Sequence, residues 1–133
     1  MAVILDTNFL LYVVKNKIDF VREIDKLCDF SYDLIIPKQV LDELHSISKG
    51  KDNKRKDKVA AELALQILGK IAEKDGILVI EAKGKNADDA IVNIVKKNHN
   101  KEVMVATMDK ELKKRIKKIN IISIRQGKYL EFI

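Results

Sequence analysis

Four acidic residues each lie shortly after a different apolar run of the chain. They are Asp6, Glu43, Asp88 and Asp109. Carboxylates that converge repel one another unless some stay protonated or a cation joins them. Oxygen ligands without histidine or cysteine favour Mg²⁺ or Mn²⁺. If these acids meet in space, the chemistry that they predict is a metal site for one or two divalent ions.

Helical geometry indicates which acid of two neighbouring pairs can point into a cleft. In "VLDELHSI", Glu43 lies about 90° from the centre of the apolar stripe, and Asp42 lies nearly opposite that stripe. In "ADDAI", Asp88 lies about 80° and Asp89 about 180° from the corresponding centre. We therefore predict Glu43 and Asp88 as site residues and leave open whether Asp89 also contributes.

The same acids have a structural interpretation. Aspartate is a favoured N-cap residue, which suits Asp6 and Asp109, and acids favour the first turn of a helix, which suits Asp88. However, Asp6 and Asp109 follow two strands that are expected to lie side by side at the centre of a sheet, and this placement favours a functional site. Neighbouring polar residues are predicted to support the acids by hydrogen bonds. These are Thr7, Asn8, Thr107 and, as the open case, Asp89.

The elements that must position these residues follow from short continuous apolar runs, which are typical of buried parallel strands. The predicted strands are Val3–Leu5, Leu34–Ile36, Ile77–Ile80, Val103–Ala106 and Ile121–Ile124. The predicted helices between them are Phe9–Val14, Phe20–Phe30, Lys38–Ser48, Lys54–Lys74, Asn86–Asn98 and Lys110–Lys118. This alternation predicts an α/β three-layer sandwich with a central five-stranded parallel sheet in the order 3-2-1-4-5. In that order strands one and four are neighbours, and ligand sites lie outside their carboxyl ends.

Length and composition exclude several classes of protein. The chain has 133 residues, of which 47% are hydrophobic, so residues 1–133 can form one domain with a proper core. No apolar run approaches the roughly 18 residues of a membrane helix, and the N-terminus lacks a secretion pattern. The chain has one cysteine, Cys28, which excludes an intrachain disulfide and a zinc site with several thiolates. His45 and His99 are far apart in the sequence, which argues against a histidine metal site. We expect a cytoplasmic protein without a membrane partner.

The charge balance favours a polyanionic partner. Lysine and arginine exceed the acids by 26 to 20, a net charge of +6, which suits nucleic acid, although a lysine-rich thermophile would show the same bias. Two basic runs begin on the same edge as the acids, and a solvated charged face is the competing interpretation. The predicted RNA contacts are Lys54, Arg55, Lys110, Lys113, Lys114 and Lys117.

The four motifs together resemble PIN-domain nucleases. They are Asp-Thr-Asn after the first strand, the glutamate of "VLDEL", "ADDAI", and "ATMD" after the fourth strand. The resemblance covers essentially the whole chain. It implies an acidic site of Asp6, Glu43, Asp88 and Asp109, and an RNA endonuclease, often dimeric, that leaves a 5′-phosphate and a 3′-hydroxyl.

Three functions are compatible with this resemblance. "VATMDKELKKRI" and "ADDAIV" are most similar to the small-subunit processome endonuclease branch, so we predict a Mg²⁺- or Mn²⁺-dependent endoribonuclease that acts on ribosomal RNA precursors. A VapC-type toxin ribonuclease would require a protein antitoxin, and a binding-only PIN scaffold would need no catalysis. The C-terminal segment Lys128–Ile133 is predicted either to pair with a second subunit in a homodimer or to close the sheet edge.

Overall fold

Strands and helices alternate along the chain as the apolar pattern predicts. The computed structural model describes residues 1–98, 103–116 and 120–133. The elements in chain order are β1 (Ala2–Leu5), α1 (Thr7–Lys15), α2 (Phe20–Leu27), β2 (Asp33–Pro37), α3 (Lys38–Lys49), α4 (Arg55–Lys74), β3 (Leu78–Ile80), α5 (Ala87–Lys97), β4 (Val103–Ala106), α6 (Lys110–Arg115), β5 (Asn120–Arg125) and β6 (Tyr129–Phe132). No helix in these parts of the chain is long and apolar enough to cross a membrane.

The sheet confirms the predicted strand order. Among the described residues six strands, one more than predicted, lie in the order β3-β2-β1-β4-β5-β6, and the first five in this order are parallel. Leu5 at the end of β1 is in register with Ala106 at the end of β4. The backbone amide of Asp6 continues this pairing with a hydrogen bond of 3.1 Å to the carbonyl oxygen of Ala106. The residues that follow these two strands therefore start side by side.

The C-terminal segment extends the sheet. Tyr129–Phe132 forms β6, which pairs antiparallel with β5 and places Arg125 opposite Tyr129. The guanidinium of Arg125 lies 5.7 Å from the centroid of the Tyr129 ring, a cation–π distance. Of the two predictions for this segment, the structure shows the intramolecular one.

Apolar side chains on both faces of the sheet explain the three layers. Because successive side chains of a strand alternate, Val3 and Leu5 of β1 join the core that α1 to α4 cover, whereas Ile4 joins the core that α5 and α6 cover. All three residues are fully buried. The prediction of buried parallel strands is thus confirmed for β1.

The third strand departs from that prediction. Leu78 and Val79 of β3 are 54% and 53% exposed. β3 is the terminal strand, so it pairs only with β2 among the described residues and lacks the cover that the inner strands have. An apolar run does not reveal whether a strand will be central or terminal, which is why the sequence pattern predicted a buried strand here.

Candidate active site

Asp6 is the most deeply buried acid of the carboxyl edge of the sheet. Its side chain is only 2% exposed and caps the N-terminus of α1. Oδ1 accepts a hydrogen bond of 2.8 Å from the amide of Thr7, and Oδ2 accepts one of 2.8 Å from the hydroxyl of Thr107. Asp6 can therefore cap α1 and also belong to the candidate active site.

Thr107 connects two of the predicted acids. It follows β4 and is fully buried, and its Oγ1 accepts a hydrogen bond of 3.0 Å from the amide of Asp109 while donating to Asp6. Asp109 in turn caps α6, because its Oδ1 accepts from the amides of Glu111 at 2.9 Å and Leu112 at 3.3 Å. A chain of hydrogen bonds therefore positions both strand-end acids.

Asp88 brings a third carboxylate to this place from the first turn of α5. Its pKa is raised chiefly by burial, then by the negative charge of Asp109, by a hydrogen bond with that residue and by the charge of Glu43. Burial raises the pKa of Asp6 to about 6, and the negative charges of Asp88 and Asp109 also raise it, whereas the hydrogen bond from Thr107 acts in the opposite direction. The negative charges of these acids therefore interact with one another.

Glu43 approaches from α3 on the other side of the sheet. Its Oε2 accepts a hydrogen bond of 2.6 Å from the amide of Ala87, the first residue of α5. Asp42 and His45, its neighbours on the helix, are exposed. The structure thus brings Glu43, and not Asp42, to the start of the helix that carries Asp88.

Asp89 faces a different partner. Its amide donates to the cap residue Asn86, and its Oδ1 lies 2.9 Å from Nη2 of Arg115 in α6. This ion pair joins the two helices that carry Asp88 and Asp109. Asp89 therefore contributes to the position of these helices.

The other two predicted supporting residues differ in environment. Thr7 is 4% exposed, and its hydroxyl has no hydrogen-bond partner among the described residues. Asn8 is exposed and lines a cavity of about 460 Å³ between α1 and the α3–α4 connection. Within the described parts of the chain, neither side chain hydrogen-bonds to Asp6, although the amide of Thr7 does.

A supporting residue that the sequence analysis missed is Gln39. Its Nε2 donates to the carbonyl oxygens of Ala82 at 2.6 Å and Gly84 at 3.1 Å, so it holds the connection that leads from β3 to α5. Gln39 precedes Glu43 by four residues and lies on the same side of α3. The four-residue spacing from Glu43 could have pointed to Gln39. Its hydrogen-bond partners, however, are backbone atoms more than forty residues away in the sequence.

The donor set has the chemistry of a site for a hard divalent cation. It consists of carboxylate oxygens, and the pKa values of Asp6 and Asp88 are raised first by burial and then by the neighbouring negative charges, which a cation would offset. Among the described residues, however, no three side chains of histidine, cysteine, aspartate or glutamate are arranged to hold one ion as they stand. The residues therefore fit the ion chemically, and joint coordination requires their side chains to turn towards one another.

The predicted RNA-contacting residues are mostly exposed. Lys54, Arg55, Lys110 and Lys114 are exposed, and Lys113 is half-buried. Lys114 lies 3.5 Å from Glu111, one turn earlier on α6. Lys117 lies outside the described residues. The helix predicted over Lys110–Lys118 ends earlier, because α6 stops at Arg115 and Ile116 is its C-cap.

Comparisons with known proteins agree with this geometry. Residues 3–127 match the PIN-like domain family. The chain is 39% identical over 128 residues to ribonuclease VapC4 of Methanocaldococcus jannaschii, which covers 95% of this chain and 92% of that protein. The structure of the PIN domain endonuclease Utp24 is similar with a TM-score of 0.75 and 29% identity, over 98% of this chain and 90% of that one. VapBC2 of Rickettsia felis, at 18% identity and a TM-score of 0.58, shares the fold over 92% of this chain and 98% of that one.

Proposed function

Since the chain belongs to the PIN-like domain family, we propose that it is a divalent-metal-dependent endoribonuclease with its active site at Asp6, Glu43, Asp88 and Asp109. One observation carries the proposal. The hydroxyl of Thr107 bonds to the carboxylate of Asp6 and to the backbone amide of Asp109 at the ends of two neighbouring strands, and Asp88 lies close enough to raise the pKa of Asp6. The similarity to VapC4, a ribonuclease by name, supports RNA as the substrate.

In the proposed reaction a water oxygen attacks a phosphorus atom of the RNA backbone. The bond from phosphorus to the 3′ oxygen breaks, the 3′ oxygen takes up a proton, and the phosphate stays on the 5′ end. Asp6, Asp88 and Asp109, with Glu43 beside them, would hold a Mg²⁺ or Mn²⁺ ion, which would offset the charge of the phosphate and make the water more acidic. Thr107 holds the carboxylate of Asp6 and the backbone amide of Asp109 in place, and Glu43 accepts a hydrogen bond from the first amide of α5.

Two classes of RNA target are candidates. The resemblance of "VATMDKELKKRI" to the processome branch supports a ribosomal RNA precursor. The 39% identity to VapC4 supports a VapC-type toxin, which would act on other RNA and would bind an antitoxin protein. Sequencing of new 5′-phosphate ends after controlled expression separates the two, because a maturation enzyme produces ends confined to ribosomal precursors.

The direct test is cleavage of a labelled single-stranded RNA by purified protein with Mn²⁺, Mg²⁺ or EDTA. We expect metal-dependent cleavage that Asp6→Asn abolishes, because the substitution removes a buried carboxylate charge while keeping the size of the side chain. Glu43→Gln should also lose activity, whereas Asp42→Asn, on the exposed side of the same helix, should not. Equal activity of wild-type and Asp6→Asn proteins would contradict the assignment, and RNA binding without cleavage would favour a scaffold.

A further inference from the structure

The turn between β5 and β6 extends beyond the edge of the sheet that carries the acids. Ile122 of β5 is in register with Ala106, the last residue of β4. β5 continues for three more residues, as far as Arg125, before the chain turns back. At about 3.3 Å per residue, this extension reaches about 10 Å past the end of β4. The turn therefore stands beside Thr107 and Asp109, the residues that follow β4.

The backbone of this turn has a defined shape. Gln126 and Gly127 have φ angles of 53° and 70°, and the amide of Lys128 donates a hydrogen bond of 3.1 Å to the carbonyl oxygen of Arg125. Positive φ angles at both positions are typical of the tight turns that close hairpins. A Cβ at Gly127 would lie 3.5 Å from the hydroxyl oxygen of Tyr12 in α1. Strand pairing and this approach to α1 together position the turn.

Arg125 and Tyr129 form an exposed aromatic surface where the turn joins the two strands. They are opposite each other in the β5–β6 pair, so their side chains share one face of the sheet. The guanidinium carbon of Arg125 lies 5.7 Å from the centroid of the Tyr129 ring. Tyr129 is nevertheless 46% exposed, and Arg125 is exposed as well. The cation–π contact therefore orients the ring and leaves part of it open to solvent.

This aromatic surface lies on the face of the sheet that α6 covers. Side chains alternate along β5, so Arg125 is on the same face as Ile121, which packs in one core with Leu112 of α6. Lys128 in the turn and Lys110 at the start of α6 are both exposed. Sites for single-stranded nucleic acid combine such positive charges, which follow the backbone, with aromatic rings on which bases stack.

We propose that Tyr129, oriented by Arg125, stacks on one base of the RNA, at a nucleotide close to the cleaved bond. The inference rests on the proposed function, because an RNA strand bound across Asp109 passes beside the β5–β6 turn. The base lies against the part of the ring that Arg125 leaves open, while Lys110 and Lys128 meet phosphates. Every base has a π-face, so the contact fixes the register of the strand without reading its sequence, and purines, with the larger face, bind best.

The first test uses inactive Asp6→Asn protein and single-stranded RNA that carries 2-aminopurine at one position at a time. Stacking quenches the fluorescence of this base, so we expect quenching at one position near the cleaved bond. Tyr129→Phe keeps the ring and should keep the quenching. Tyr129→Leu should lose it and bind the RNA about 5- to 150-fold more weakly. Phe132→Leu is the matched control, since Phe132 is 42% exposed on the same strand but its side chain points to the opposite face.

An RNA that lacks the base at the quenched position separates stacking from phosphate contacts. The Asp6→Asn protein should bind this abasic RNA about as weakly as its Tyr129→Leu variant binds the intact RNA, and the variant should lose little more. The salt dependence of binding should stay the same in Tyr129→Leu, because it reports phosphate contacts. Melting curves by circular dichroism check that all variants are folded.

The outcomes distinguish this proposal from the proposed function. Equal affinities of Tyr129→Leu and Phe132→Leu, or an additional full loss of affinity when abasic RNA and Tyr129→Leu are combined, would overturn the stacking site alone. Quenching that depends on Tyr129, in a wild-type protein that does not cleave RNA with any metal, would contradict the nuclease alone. Absence of RNA binding in every protein would overturn both.

Discussion

At the scale of single residues, one hydroxyl organises the acidic edge. A threonine hydroxyl can donate one hydrogen bond and accept others, and Thr107 does both, towards Asp6 and towards the amide of Asp109. The bond to Asp6 also lowers the pKa of that carboxyl against the effect of burial. Thr107 is therefore a positioning residue for the proposed reaction.

Two substitutions of Thr107 distinguish the effect of its hydroxyl group from the effect of its side-chain shape. We expect Thr107→Val to lower kcat/KM for RNA cleavage by about 10- to 100-fold, because residues that orient metal-binding carboxylates have effects of this size. Thr107→Ser keeps the hydroxyl and should stay close to the wild type. Similar losses in both variants would show that the methyl group, and not the hydrogen bonds, matters.

The raised pKa of Asp6 predicts a pH-dependent stability. Because that pKa is about 6 in the folded chain against an ordinary 3.8, the folded state holds the proton more tightly than the unfolded state. Ionisation of Asp6 therefore lowers the free energy of unfolding. This loss is absent below pH 3.8, grows as the pH rises and reaches up to about 3 kcal/mol above pH 6.

Asp6→Asn removes this cost. In EDTA, its free energy of unfolding relative to the wild type should therefore increase between pH 4 and pH 7. Denaturant unfolding of both proteins at several pH values measures the difference. A difference that does not change with pH would contradict the expectation.

At the scale of elements, α3 and the β3–α5 connection set where Asp88 lies. Gln39 holds the connection through two carbonyl oxygens, and Glu43 binds the first amide of α5. Gly84 allows a close approach, since its φ is 151° and a Cβ there would lie 2.6 Å from the amide nitrogen of Ala90. The first turn of α5 depends on these backbone contacts.

Two glycine substitutions test this packing. Gly84→Ala should lower the free energy of unfolding by about 1–3 kcal/mol, because it combines a strained backbone with a clash against backbone atoms. Gly69→Ala lies in the exposed interior of α4, where the added Cβ meets nothing within 4 Å beyond the adjacent helix backbone, and it should raise the free energy of unfolding by about 0.5–1 kcal/mol. Denaturant unfolding measures both, and equal effects would contradict the close approach at Gly84.

At the scale of the whole molecule, the net charge of +6 predicts RNA binding that weakens with salt. Each lysine or arginine that contacts a phosphate adds about 0.7 to the slope of log affinity against log salt concentration for a single strand. Lys54→Gln, Arg55→Gln and Lys110→Gln should each reduce that slope. Lys70→Gln, on the exposed side of α4, should not. Fluorescence anisotropy measures this slope for each variant in the Asp6→Asn background, which is expected to bind RNA without cleaving it. An unchanged slope in all variants would show that the RNA binds at another surface.

The sequence alone determined the alternation of strands and helices and the four acids that follow the strands, and the common strand order of such α/β folds then predicted the sheet. Continuous apolar runs indicate parallel strands buried on both faces, and the position of Asp6 or Asp109 directly after a strand determines the edge at which it lies. Helical spacing also distinguished Glu43 from Asp42. These features depend on residues close together in the chain, so a local pattern contains them.

Only the tertiary structure decided which side chains meet. Thr107 and Asp6 are 101 residues apart, and Arg115 and Asp89 are 26 apart, so their contacts depend on how separate elements pack. The exposure of Leu78 and Val79 likewise follows from the terminal place of β3 in the sheet. The physical reason is the same in each case: local periodicity sets the type and buried face of an element, but its neighbours are set by the packing of the whole chain.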